Sequence, residues 1–219
     1  TEAEIVDEAV SMAKAAKECG ADAVLAFPPS KLQGQQRQKA IVRYHEALVE
    51  VGLPVIAFYL YEQAGGLLYD DETLTAILSL DGVVGLKSAT LDSVMRFQEI
   101  AQLMESFPTK ALLTGEDRMF GYSLMRGATG ALVGLGAVET ELQLKMFRAW
   151  QRQDFSSFVR FSQIVDTLAE VTFIQPMEGY VARLLHVLGL RGIIPEQSTF
   201  DPWGPGITEM EKNRIALRA

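Results

Sequence analysis

"DGVVGLKSAT", residues 81–90, decides how the rest of the chain is read. Val83, Val84 and Leu86 have the composition of a buried strand, and Lys87 stands at its carboxyl end. A central strand disfavours a charged side chain unless the charge is paired or reaches a cavity, because an isolated buried ammonium is costly. The carboxyl ends of parallel strands are also where ligands bind in α/β folds, barrels especially. Partial burial there favours a neutral amine, which attacks a ketone to form a Schiff base. The imine withdraws electrons, so a nearby carbon–carbon bond can break or form. The plainer alternative is a lysine whose amine reaches solvent along its own apolar stem.

Outward from this stretch, strand and helix alternate with short turns. "TEAEIVDEAVSMAKAAKECG" predicts a helix, with Thr1 and Glu4 as a capping box and Gly20 as its end. "ADAVLAFPP" predicts a short strand stopped by Pro28 and Pro29. A helix over 35–51, the strand "VIAFYLY", and a helix in "YDDETLTAILSL" capped by Asp70 or Asp71 follow. After the Lys87 strand come a helix near 91–106, the strand "KALLTG", a helix near 117–126 and the strand "GALVGLG". These five strands are apolar at nearly every position, the pattern of a parallel sheet with crossover helices covering both faces. Residues 1–137 therefore form the strand–helix part. Residues 138–219 are mostly helix, with "FDPWGPGI" before the charged tail.

The 219 residues carry 20 Lys and Arg against 28 Asp and Glu, a formal charge of −8. No basic block occurs, which argues against nucleic acid or an anionic membrane as partner. No apolar run reaches spanning length. The single cysteine, Cys19, reads as a buried, inert thiol and fits a reducing, cytoplasmic setting.

Other candidates are plainer. Gly127, Gly130, Gly134 and Gly136 could cradle a phosphate, but close backbone approach and sharp turns explain them better. Glu116 and Asp117 invite a metal, yet suit the first turn of the next helix, near 117–126. His45 and His186 lie in helical segments and support no metal site. Trp150, Phe155 and Phe158 read as helix-packing anchors, with a subunit interface as the alternative place for them.

"VVGLKSAT", with "LPVIAFYLYEQAGG" before it and "LLTGEDRMFGYSLMRGATGALVGLGAV" after it, resembles the dihydrodipicolinate synthase/N-acetylneuraminate lyase family of class I aldolases. "FIQPMEGYVARLLHVLGL" resembles that family's helical extension, so the likeness covers essentially the whole chain. It implies a TIM (β/α)8 barrel, here strands four to eight, with C-terminal helices over 138–219. It implies a homodimer or homotetramer, no cofactor, no metal, and Lys87 as the amine that forms an imine with pyruvate or another 2-oxo acid. Thr114, Gly115 and Leu132 would line the pyruvyl end. Against a complete barrel the chain lacks strands one to three and the family's Gly-Thr-Thr-Gly-Glu-like loop, which makes it read as part of a longer protein.

The likeness also exposes departures. The family's tyrosine on its fifth strand falls on Phe58, which cannot relay a proton. Tyr59 is one residue out of phase, and Tyr61 is read as having the inward parity but lying nearer the loop; both are candidate catalytic phenols. The arginine that grips a distal carboxylate in the synthases falls on Gln63, which brings no charge and no five-donor fork. The loop tyrosine of the tetramer-type relay falls near Ser30. The expectation is a lyase or aldolase on a 2-oxo acid that does not make dihydrodipicolinate, with Phe58, Tyr59, Tyr61 and Gln63 at the variable end of the substrate. A dehydratase acting on a sugar-derived 2-oxo acid, a phosphate-binding isomerase and a non-catalytic scaffold are the alternatives.

Overall fold

The computed structural model describes residues 2–32 and 36–218. The expected cap at Thr1 lies outside them. Two compact units are present: one runs to Thr114 and takes in Arg126–Ala131, the other comprises Gly115–Met125 and Leu132–Ala219.

In the first unit the order is α1 (Glu2–Glu18), β1 (Val24–Ala26), α2 (Arg37–Val49), β2 (Val55–Leu60), α3 (Asp71–Leu78), β3 (Val83–Ala89), α4 (Val94–Met104), β4 (Ala111–Thr114) and β5 (Gly130–Ala131). The five strands form one sheet in sequential order, β1-β2-β3-β4-β5, and every pairing is parallel. Local chemistry sets the boundaries. Pro28 and Pro29 keep β1 to three residues. Asp70, rather than Asp71, caps α3, its carboxylate accepting the Thr73 N–H at 2.7 Å. Ser93 caps α4 in the same way through the Arg96 N–H.

Side chains alternate faces along each strand. One face is packed tight: Val55, Ala57 and Tyr59 of β2, Leu86 and Ser88 of β3, and Leu112 and Thr114 of β4 are all buried. Leu86 at 0% exposure contributes about 2 kcal/mol by burial alone. This face meets the helices, as the guanidinium of Arg96 on α4 lies 5.3 Å from the Tyr59 ring centre. The opposite face is less covered than the apolar runs predict. Ile56, Leu60, Lys87, Ala111 and Leu113 are only half-buried there.

The expected strand "GALVGLG" shrinks to two residues. In the second unit Gly134 and Leu135 instead give their N–H groups to the Asp117 carboxylate, at 3.3 and 2.7 Å, and α6 (Gly136–Gln151) begins at once. Asp117 thus serves the start of α6, not the first turn of the helix that directly follows it in the sequence. That unit also holds α5 (Phe120–Met125), α7 (Phe155–Thr172), α8 (Tyr180–Leu190) and α9 (Glu209–Ala216). Trp150 packs on Phe155 and Phe158, with ring centres 5.8 and 5.1 Å away, and joins α6 to α7. Cys19 is exposed, not buried, because it lies just beyond the last turn of α1. Among the described residues no helix is long and apolar enough to cross a membrane.

Candidate active site

Lys87 lies on β3, the middle strand of the five, near its carboxyl end and on the half-covered face. Register explains its surroundings. Phe58 of β2 pairs with Lys87, Lys87 with Leu113 of β4, and Leu113 with Gly130 of β5. Registered residues in parallel strands share a face, so a row runs across the sheet at one level. The row is apolar except for the amine.

Two contacts define the row. The Lys87 Nζ stands 4.1 Å from the centre of the Phe58 ring, within the range where a π face holds a cation. On the other side a Cβ at Gly130 would come within 2.8 Å of Leu113 Cδ2, so glycine lets the leucine fill its place beside the lysine strand. Gly127, with φ +99°, makes the turn into β5 that an ordinary residue resists. These two glycines are accounted for by backbone and packing.

The row continues where β1 ends. Ala26 pairs with Ala57, so Phe27 stands one step on, level with Phe58. Its ring meets Phe58 edge-on, centres 5.1 Å apart at 83°. Sequence reasoning passed over Phe27 and Leu113. The signal was available: each occupies the position next to Phe58 or Lys87 once the strands are laid in sequential parallel order.

Tyr59 is not brought to the amine. Tyr59 pairs with Ser88 on the helix-facing side, 2% exposed, with Tyr69 edge-on at 6.0 Å. Burial pushes its phenol up, and the Arg96 guanidinium beside it works in the opposite sense. Tyr59 and Tyr61 instead line a cavity of about 440 Å3 shared with Tyr69, Asp70, Thr90 and Arg96. Lys87 is not among its walls. Alternation is the reason for Tyr59, since one step along a strand reverses the face, while Tyr61 lies just past the last residue of β2.

The remaining expected residues scatter. Gln63 is exposed in a single 3-10 turn, Glu62–Ala64. Thr114 pairs with Ser88 and so has its side chain on the helix-facing side, fully buried. In the second unit Gly115 is buried and Leu132 is 46% exposed, beyond the end of β5. What the structure brings together is Lys87, Phe58, Phe27, Leu113 and Gly130. Such a site holds an amine against an apolar wall, with Lys87 itself half-buried.

The chain belongs to the dihydrodipicolinate synthetase family, whose model matches residues 2–215. A 4-hydroxy-tetrahydrodipicolinate synthase of Rhodospirillum centenum is 27% identical over 205 residues, covering 89% of this chain and 68% of its own length. A probable 2-dehydro-3-deoxy-D-pentonate aldolase of Escherichia coli, YjhH, is 27% identical over 153 residues, covering 69% of this chain and 50% of its own. The chain spans 62% of a Methanosphaerula palustris synthase that it also matches. Among solved structures, YagE of Escherichia coli K12, in complex with pyruvate, superposes with a TM-score of 0.83 at 19% identity, over 97% of this chain and 70% of that one. The sialic acid aldolase of Ruminococcus gnavus gives 0.76 at 17% identity, over 97% and 69%. Members of the family are thus named both as synthases and as aldolases.

Proposed function

We propose that this chain carries the imine-forming part of a lyase or aldolase acting on a 2-oxo acid of the pyruvate type. One observation carries the reading: the amine of Lys87, set in an otherwise apolar row near the carboxyl end of the central parallel strand, on the half-covered face of the sheet. Lys87 attacks the 2-oxo carbon, loses water and leaves an imine that accepts electrons from the bond being broken. The strands are read as the fourth to eighth of a (β/α)8 barrel, with 138–219 as last barrel helix and extension, in a homodimer or homotetramer. Support comes from the parallel sequential order and from the full-chain family match.

The ring at Phe58 brings no proton to the imine, and the phenols of Tyr59 and Tyr61 belong to a different cavity. Proton transfer is therefore assigned to water in front of the half-covered face rather than to a tyrosine relay. With Gln63 in place of a charged clamp, a second substrate carrying its own carboxylate loses a charge-assisted grip of roughly 1.5–3 kcal/mol. The test is a pair of assays on the full-length protein. Pyruvate release from 2-oxo-3-deoxy acids should proceed and should vanish in Lys87→Ala. Condensation of pyruvate with aspartate semialdehyde should be negligible. Robust condensation, or pyruvate release that survives Lys87→Ala, contradicts the reading.

A further inference from the structure

Phe27 is a large aromatic residue with 59% of its surface exposed. Exposed apolar side chains are common, and alone this one means nothing. It is, however, firmly rooted. Its carbonyl accepts a hydrogen bond from the Tyr44 hydroxyl at 3.3 Å, and the next two residues, Pro28 and Pro29, are buried with φ fixed by their rings. Its ring is propped edge-on against Phe58, whose face is already occupied by the Lys87 amine. A carbon attached to that nitrogen starts beside Phe58, and a substituent extending toward β1 meets Phe27 next.

We propose that Phe27 and Phe58 form an aromatic wall that selects 2-oxo acids whose distal portion is planar and apolar, such as an aryl or alkenyl group, over polyhydroxylated chains. The proposal rests on Lys87 as the imine-forming lysine and deepens that reading. Along the row, the side chains of Phe27, Phe58 and Leu113 offer a hydroxyl no donor and no acceptor. Each sugar-type hydroxyl laid on this wall gives up water without replacement, whereas a flat apolar group gains contact with the exposed Phe27 ring, which the buried Phe58 holds in place. Discrimination of this kind is asymmetric, because an unpaired polar group is rejected more strongly than a missing methylene.

The test uses the full-length protein and three probes: pyruvate, phenylpyruvate and 2-oxo-3-deoxygluconate. Each is titrated in the presence of borohydride, and the reduced adduct is read by mass on the peptide containing Lys87. Phenylpyruvate should reach half-labelling at a concentration roughly tenfold below that of the deoxysugar acid. Phe27→Ala should bring that ratio close to one, and Phe27→Tyr should keep it. A wild-type ratio at or below one overturns the wall, as does a ratio that Phe27→Ala leaves intact. The wild-type ratio decides alone if the alanine variant fails to fold. Labelling by pyruvate without the preference defeats only the wall, while no labelling by pyruvate defeats the imine reading and the wall with it.

Discussion

At the scale of single residues, burial sets the titration of His45. His45, on α2, is 0% exposed; its Nδ1 bonds to the Ile41 carbonyl at 2.8 Å, so that nitrogen carries the proton. Nε2 has no hydrogen-bond partner among the described residues, and burial holds the imidazole down to about 4. Folded, the ring refuses a proton that the unfolded chain takes up below its ordinary value of 6.5. The contribution to stability is therefore full above pH 6.5, declines as the pH falls toward 4, and levels off below that, a loss of about 3 kcal/mol in all. Urea unfolding between pH 4 and 7 should show this slope, and His45→Leu should flatten it. Lys87 could be singled out from the sequence because a charge interrupting an apolar strand is a conflict visible without coordinates. The burial of His45 could not, since a histidine in a mixed helix carries no sign of what packs over it.

At the scale of elements, the second unit closes on a buried ion pair. Arg183 of α8 is 1% exposed and gives hydrogen bonds to the carbonyls of Thr172, Ile174 and Pro176. Its guanidinium also meets the Glu211 carboxylate of α9 at 2.9 Å. Glu211 in turn completes a capping box with Thr208, so one carboxylate both starts α9 and neutralises α8's cation. Removing it leaves a charge buried and unpaired. Glu211→Ala should cost about 3 kcal/mol in chemical denaturation, whereas Lys212→Ala, which breaks an exposed pair with Glu209, should cost under about 1 kcal/mol. A near-equal effect of the two changes would show that the latch does not hold α9. Helix positions were legible because their caps are written locally: Asp70, Ser93 and Thr208 all precede their helices. Strand ends were less so. "GALVGLG" reads as strand from composition, but the carboxylate of Asp117, distant in sequence, converts half of it into a helix start.

For the whole molecule, the alternation of strands and helices, their parallel order and the family were all readable from the chain, since each rests on patterns repeated along it. The composition of the site was only partly readable. Phe58 and Lys87 were identified together, and Tyr59 was set with them although alternation, legible as its being one residue out of phase, turns it to the helix-facing side. Phe27 and Leu113 were missed because a place beside Phe58 or Lys87 requires the register between strands. The central claim is that the working amine of this protein is Lys87, and one measurement tests it most directly. The full-length protein is incubated with pyruvate, reduced with borohydride, digested and mapped by mass spectrometry. The account predicts a single stable three-carbon adduct on Lys87, absent when pyruvate is omitted. An adduct on any other lysine, with Lys87 unmodified, would contradict it.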